Sequence, residues 1–101
     1  MLWDLGEIYK ALDIKKKINE NFSFNEISID SRKINKNSLF IPIKGERYDG
    51  HKFIDIAARK GVKVCLIEKK KKHLVKNKKI FLIEVKDTLS SLKKLAVYAK
   101  N

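Results

Sequence analysis

The fold is decided by residues 39–67, which read LFIPIKGERYDGHKFIDIAARKGVKVCLI. The β-rich run at 39–43 and the apolar run at 62–67 are typical of strands, the second of a strand covered on both faces. Between them, four apolar residues recur at helical spacing and predict a helix over about 51–60: Phe53, Ile54, Ala57 and Ala58. A strand, a helix and a strand in this order imply a right-handed crossover between parallel strands. We therefore expect an α/β fold, a small mixed sheet with a βαβ crossover and helices packed on it.

The segments around this unit extend the same fold. The alternation at 27–30 predicts a strand with its two isoleucines on one face, and the apolar run at 80–85 predicts a further strand. Pro42 cannot donate to a strand ladder, so its strand should lie at an edge or end irregularly. Gly61 stands where a left-handed helix cap is expected.

Helices are also predicted towards both ends of the chain. Asp4 and Glu7 resemble a capping box at the start of a short amphipathic helix. Asp87 with Thr88 is a candidate N-cap for a helix that carries leucine and alanine at helical spacing. We find no internal repeat and no linker rich in Gly, Ser or Pro, so a single domain over residues 1–101 is expected.

The most prominent feature of the composition is a formal net charge of +12 on 101 residues. All but three of the 24 cationic residues are lysine, and the densest block, at 69–72, has no aromatic residue on which a base could stack. This favours a solvated lysine-rich loop over a patch for polyanions. A small basic protein that binds nucleic acid stays open as the alternative from another functional class.

The remaining composition points to the cytoplasm and to neither a metal nor a membrane. Cys65 is the single cysteine, which excludes an intrachain disulfide, and its apolar neighbours indicate an inert core thiol. His51 and His73 lie far apart without a cluster of ligands, so no metal site is expected, and His51 is assigned to the first turn of its helix. No secretory signal is expected, because no basic stretch precedes an apolar run at the start of the sequence, and the apolar runs are far shorter than the roughly 20 residues of a membrane-spanning helix.

Two polar segments, at 30–32 and 45–51, follow predicted strands, where α/β sheets usually bind ligands. Arginine in each can hold a phosphate through two hydrogen bonds, and Tyr48 offers a flat face to a base. Gly45 and Gly50 can take positive φ and let backbone amides approach an anion. The alternative is that Asp30 or Asp49 pairs with Arg32 or Arg47 merely to hold the two loops, while the glycines only make turns. An acid/base pair of Glu46 with Asp49 rests on proximity alone.

The motif DSRKI at 30–34, followed by SLFIPIKGERYDGHKFI at 38–54, resembles the N-terminal domain of the Mur ligases. The likeness continues through the strand at 62–68 and VKDTL at 85–89. It implies a domain that grips the UDP end of UDP-N-acetylmuramoyl-peptide for a cytoplasmic, ATP-dependent amide ligase of peptidoglycan synthesis. The motif GERYDGH at 45–51 is most similar to that of the family branch that adds D-alanyl-D-alanine. The branch that adds lysine or diaminopimelate is the alternative.

The resemblance also implies roles for individual residues. Matched position by position, the UDP site would be lined by Ile29, Ser31, Glu46, Arg47 and Tyr48. The loops around it would be shaped by Asp30, Arg32, Gly45, Asp49 and Gly50, with Arg32 and Asp49 as a scaffold pair. No G-x-x-x-x-G-K-[ST] phosphate loop occurs in the sequence. We therefore expect no catalytic residue, cofactor or metal here and a chain that is inactive by itself. The resemblance implies that ATP and Mg²⁺ are bound by the other domains of the full-length ligase, and we expect the chain to be a monomer.

Overall fold

A computed structural model describes residues 3–100, and the chain opens with a strand that runs directly into a helix. Strand β1 (Trp3–Asp4) leads into α1 (Leu5–Ala11) and pairs antiparallel with β2 (Ser23–Phe24). Asp4 caps α1 because its carboxylate accepts from the Glu7 N–H at 2.8 Å while the Glu7 carboxylate accepts from the Asp4 N–H at 3.2 Å. The predicted capping box is confirmed. The antiparallel pair had no signal in the sequence.

The remaining strands form one parallel sheet in chain order. They are β3 (Glu26–Ser28), β4 (Ser38–Phe40), β5 (Val64–Glu68) and β6 (Phe81–Val85), and each pairs in parallel with the next. Three helical segments complete the chain: a 3-10 helix at Gly50–Phe53 that continues into α2 (Ile54–Arg59), a second 3-10 helix at Lys69–Leu74, and α3 (Thr88–Lys100). The α/β class and the crossover from β4 through α2 to β5 are confirmed.

The core lies on both faces of this sheet because side chains alternate along each strand. In β5, Val64 and Leu66 pack in the cluster that holds the buried residues of α1 and Leu95 of α3. Cys65 and Ile67 point to the other cluster, where Ile54 and Ala57 of α2 pack. The continuous apolar run was therefore correctly interpreted as a strand covered on both faces. Burial raises the pKa of the Cys65 thiol, in keeping with the inert thiol expected.

Two strand predictions are corrected at their carboxyl ends. The strand expected at 39–43 ends at Phe40, because Pro42 has no N–H to donate, although Ile41 still donates to the Ser28 carbonyl at 2.9 Å. Its irregular end is confirmed, but β4 lies inside the sheet between β3 and β5 rather than at an edge. The strand expected at 27–30 ends at Ser28, so that Ile29 leaves the sheet and is 53% exposed.

Helix ends follow their sequence signals more closely. Gly61 has a φ of 101° after α2, as its predicted left-handed cap requires. The Asp87 carboxylate accepts from the Ser90 N–H at 2.8 Å at the start of α3.

None of the helices between residues 3 and 100 combines the length and the apolar character needed to cross a bilayer.

Candidate functional site

A cleft of about 490 Å³ opens where β3 and β4 end. Both predicted polar segments contribute to it, because parallel neighbouring strands deliver their carboxyl ends to the same edge of the sheet. The segment at 29–32 supplies one wall, and the loop after β4 supplies Ile43, Tyr48 and Gly50. Phe40 and Phe53 add apolar surface. The structure therefore joins two segments that lie more than ten residues apart in the chain.

The first wall is organised by an ion pair within a single turn. Arg32 donates from its backbone N–H and from Nε to Asp30 Oδ1 at 2.9 and 3.0 Å, and from Nη2 to Asp30 Oδ2 at 3.1 Å. The hydrogen bonds from Arg32 lower the pKa of Asp30 to about 2, so that carboxylate stays charged near neutral pH. The expected scaffold pair of Arg32 with Asp49 is wrong, because Asp30 occupies the Arg32 fork.

Ser31 lies between these two residues and lines the cleft. Its carbonyl accepts from Lys60 Nζ at 2.8 Å, which ties this wall to the end of α2. Ser31 as a residue is half-buried, and within residues 3–100 its hydroxyl has no hydrogen-bond partner. A hydroxyl without such a partner in a cleft is available to a polar ligand as donor or acceptor.

The loop after β4 folds back on itself as a short hairpin. Lys44 and Asp49 form an antiparallel bridge, the Gly45 N–H donates to the Tyr48 carbonyl at 2.8 Å, and the Gly50 N–H donates to the Ile43 carbonyl at 2.9 Å. Glu46 and Arg47 therefore occupy the tip, where both are exposed. Neither lines the cleft, and neither forms an ion pair or a side-chain hydrogen bond within the described chain.

The two loop glycines differ in what they contribute. Among the described glycines only Gly61 has positive φ, so the expectation of positive φ at Gly45 and Gly50 is wrong. Gly50 is required for a different reason: a Cβ there would lie 2.8 Å from the Ile43 nitrogen and 3.1 Å from the Pro42 Cα. A Cβ at Gly45 would come no closer than 3.5 Å to the Tyr48 oxygen. Gly50 thus permits the close backbone approach that shapes the cleft.

Tyr48 is the most exposed aromatic residue of the site. Its side chain is 62% exposed, and its ring stands edge-on to Phe53 with centroids 5.5 Å apart and planes at 90°. This contact positions the ring at the cleft while leaving much of its surface free. Ile29 presents a second exposed apolar surface in the same cleft.

Asp49 and His51 carry contacts that sequence reasoning missed. Asp49 does not line the cleft. Its Oδ1 accepts from the His51 N–H at 3.0 Å and lies 2.7 Å from His51 Nδ1, and its Oδ2 contacts Lys71 Nζ. Burial raises the pKa of Asp49, but the hydrogen bonds from Lys71 and His51 outweigh it and hold the pKa well below its usual range. Asp49 is therefore committed to a structural contact, and the acid/base pair with Glu46 is not formed.

Lys71 and Glu68 extend this cluster to the rest of the sheet edge. Lys71 Nζ lies 3.6 Å from Glu68 Oε1, while Glu68 Oε2 accepts from the Thr88 N–H and hydroxyl at 3.0 and 3.2 Å. His51 is fully buried and accepts from the Glu68 N–H through Nε2 at 3.1 Å. The predicted solvated loop at 69–72 is thus corrected: it forms a 3-10 helix, and one of its lysines is drawn inwards.

The described residues include no group of three or more His, Cys, Asp or Glu that could hold a metal ion. The cleft combines an exposed aromatic ring with a hydroxyl that has no partner among the described residues, and the loop that carries this ring also carries the exposed Arg47 at its tip. That set of groups suits a ligand with a flat polar ring and an anionic tail.

Comparison with known proteins defines the class to which this architecture belongs. A protein-family model described as "Mur ligase family, catalytic domain" matches residues 23–99. This match covers most of the chain, including the parallel sheet and both walls of the cleft. The chain belongs to the Mur ligase family, as the motifs at 30–34 and 38–54 indicated.

Its relatives include two kinds of ligase. The chain is 40% identical over 93 residues to the UDP-N-acetylmuramoyl-L-alanyl-D-glutamate--2,6-diaminopimelate ligase of Clostridioides difficile (strain 630), covering 91% of this chain and 18% of the relative. It is 39% identical over 70 residues to the UDP-N-acetylmuramoyl-tripeptide--D-alanyl-D-alanine ligase of Bacillus subtilis (strain 168), covering 69% of this chain and 15% of the relative.

A solved structure confirms the fold. The chain matches MurF from Acinetobacter baumannii with a TM-score of 0.80 at 26% identity, covering 97% of this chain and 21% of that chain. This chain therefore spans about a fifth or less of the length of these ligases.

Proposed function

We propose that this chain binds the UDP end of a UDP-N-acetylmuramoyl-peptide, as the N-terminal domain of an ATP-dependent amide ligase of peptidoglycan synthesis. The observation that carries the proposal is the cleft in which the segments at 29–32 and 43–50 meet at the carboxyl ends of β3 and β4. The names of the relatives support it, since they describe ligases that act on UDP-N-acetylmuramoyl compounds.

Residues of the cleft and of the neighbouring loop tip have roles suited to a nucleoside diphosphate. The exposed faces of Tyr48 and Ile29 take the flat uracil ring, and the free hydroxyl of Ser31 hydrogen-bonds to the uridine. Arg47 at the loop tip is exposed and unpaired within the described chain, so its fork is free to reach the diphosphate. Glu46 beside it offers a carboxylate to hydroxyl groups of the sugar.

If this chain binds the UDP end, the ligation reaction itself takes place in other domains of the full-length enzyme. No cluster of metal ligands exists among residues 3–100, and the sequence contains no Walker-type phosphate loop, so its residues do not fit ATP with Mg²⁺. The family description names a catalytic domain, whereas the cleft supplies binding groups. The free energy gained by binding the remote UDP end can be used to position the reacting carboxylate of the peptide.

Oligomeric state, compartment, cofactors and family branch are inferred in the same way. We infer a monomeric module in a cytoplasmic ligase, with ATP and Mg²⁺ held by its other domains. The branch that adds D-alanyl-D-alanine is favoured by the GERYDGH wording and by the structural likeness to MurF. The diaminopimelate branch is the alternative, supported by the 40% identity over 93 residues.

The test is a titration of UDP followed by two-dimensional NMR. A half-site should bind weakly, with a Kd near ~1 mM, and should shift the amides of Ser31 and Tyr48. Tyr48→Ala should weaken binding about tenfold, because stacking of a base on an aromatic ring contributes roughly 1–3 kcal/mol. The matched control is the double variant Lys69→Met and Lys70→Met, which removes two positive charges that are exposed on the lysine-rich 3-10 helix.

Two outcomes would overturn the proposal. Absence of shifts at several millimolar UDP would show that this cleft is not a uridine site. Loss of binding in the Lys69 and Lys70 variant, with full binding in Tyr48→Ala, would favour a polyanion patch instead. Salt separates the same alternatives, since a diffuse lysine field is screened within about 8 Å at physiological ionic strength whereas stacking is not.

A further inference from the structure

The loop that carries Tyr48 is anchored from behind, on the side away from the cleft. Tyr48 and Gly50 line the cleft, whereas Asp49 between them turns to a partly buried cluster with His51 and Lys71. The His51 side chain is 0% exposed, and those of Asp49 and Lys71 are each 15% exposed. None of the three lines the cleft, so an effect of theirs on a ligand bound there must pass through the loop.

We propose that Lys71 and His51 are positioning residues that lock the hairpin loop through Asp49 and so hold Tyr48 in place before a ligand arrives. The inference rests on the proposed function for the identity of the ligand, the uridine diphosphate group. The lock itself is a property of the loop and has its own readout.

Asp49 is the centre of the lock because both of its oxygens are engaged. Asp49 Oδ1 accepts from the His51 backbone N–H at 3.0 Å and lies 2.7 Å from the ring Nδ1 of the same residue. Asp49 Oδ2 accepts from Lys71 Nζ. His51 Nε2 accepts from the Glu68 N–H at 3.1 Å, which assigns the ring proton to Nδ1. The neutral imidazole thereby bridges the end of β5 and the loop, with a donor facing Asp49 and an acceptor facing Glu68.

Lys71 adds the charge that makes this contact strong. Hydrogen bonding to Asp49 raises the pKa of Lys71, with a further contribution from Glu68 3.6 Å away. Glu68 is itself held by Thr88 at the start of α3, so the loop is connected to two rigid elements. If the loop is already ordered before a ligand binds, less binding free energy is lost in ordering it.

The other lysines of the block do not share this role. Lys69 and Lys70 are exposed, and Lys72 is 49% exposed and lies 3.5 Å from Glu84 of the edge strand β6. Lys72 is therefore a matched control: it has the same charge, the same 3-10 helix and an ion pair, but no contact with the loop. Only the register of the 3-10 helix turns Lys71 towards Asp49.

The experiment compares Lys71→Met with Lys72→Met in the 101-residue chain. Amide hydrogen exchange at Gly45 and Gly50 reports loop order, because the Gly50 N–H donates across the base of the hairpin and the Gly45 N–H donates across its tip. Lys71→Met should speed their exchange about tenfold and weaken UDP binding by a similar factor, as expected for a lost hydrogen bond to a charged group. Lys72→Met should leave both unchanged, and Lys71→Arg should restore most of the protection.

A double-mutant cycle separates a lock from general destabilisation. Asp49→Asn keeps the acceptor for His51 but removes the charge facing Lys71, so it should speed loop exchange like Lys71→Met. The double variant should be no faster than either single one, because the two substitutions remove the same contact. Asp49→Asn also serves as the test if Lys71→Met does not fold.

The possible failures are distinguishable. If the unaltered chain does not bind UDP, the proposed function is wrong, while the exchange rates still decide the lock. If UDP binds and neither Lys71→Met nor Asp49→Asn changes the exchange at Gly45 and Gly50, the lock is wrong and the proposed function stands. Additive effects in the double variant would likewise contradict it.

Discussion

Replacing Gly50 by alanine tests whether the loop really depends on close backbone packing. In the structure a Cβ at this position would lie 2.8 Å from the Ile43 nitrogen, 3.0 Å from the Ile43 oxygen and 3.1 Å from the Pro42 Cα. All three are backbone atoms, so no side chain can rotate away to make room. The loop must therefore move at its junction with β4.

The expected cost follows from two contributions. Forcing an extra methyl group into packed surroundings costs about 1–3 kcal/mol. The same shift weakens the Gly50 N–H bond to the Ile43 carbonyl, worth about 1 kcal/mol net. We expect a loss of about 3 kcal/mol in the free energy of unfolding, which for a domain of this size lowers Tm by about 12–24 °C.

Gly45→Ala is the control within the same loop. Its Cβ would approach only the Tyr48 oxygen, at 3.5 Å, which is an ordinary van der Waals contact. Since Gly45 does not have positive φ, alanine is tolerated, and we expect a change within about 0.5 kcal/mol.

Thermal and urea unfolding, followed by circular dichroism, measure both variants against the unaltered chain. A shift in the urea midpoint at constant m-value shows that stability itself has changed. If Gly50→Ala unfolds within about 0.5 kcal/mol of the unaltered chain, the close approach does not constrain the loop. Equal losses in Gly50→Ala and Gly45→Ala would also refute the reasoning, because the distances predict very different outcomes.

Two further predictions concern titratable groups. Arg32→Gln should raise the pKa of Asp30 from about 2 towards its ordinary value near ~3.9, as measured by carboxyl ¹³C NMR, and an unchanged midpoint would contradict the ion pair. Because the folded pKa is lowered, the stability contributed by Asp30 is present above about pH 4 and is lost as the pH falls towards 2. Cys65 is 0% exposed, and burial raises its pKa, so a thiol reagent at pH 8 should label it only as fast as the chain unfolds. Immediate labelling of the folded protein would show that the thiol is accessible.

Local patterns were sufficient to predict most of the fold. The apolar run at 62–67, the capping box at Asp4 and the left-handed cap at Gly61 each depend on neighbours within a few residues. The two-part motif at 30–34 and 38–54 was sufficient for the family. The meeting of its halves in one cleft followed from parallel strands, which bring their carboxyl ends to one edge.

Partners that lie far apart in the chain were decided by tertiary structure alone. Nothing in a block of four lysines distinguishes Lys71, which becomes the partner of Asp49 only because the 3-10 helix turns it inwards after β5. The partner of Arg32, by contrast, is local: Arg32 was assigned to Asp49 but is held by Asp30, two residues away, a pairing that the sequence left open. Neighbouring lysines in one block look alike in the sequence, and which of them contacts an aspartate depends on the direction in which the packed backbone points each side chain.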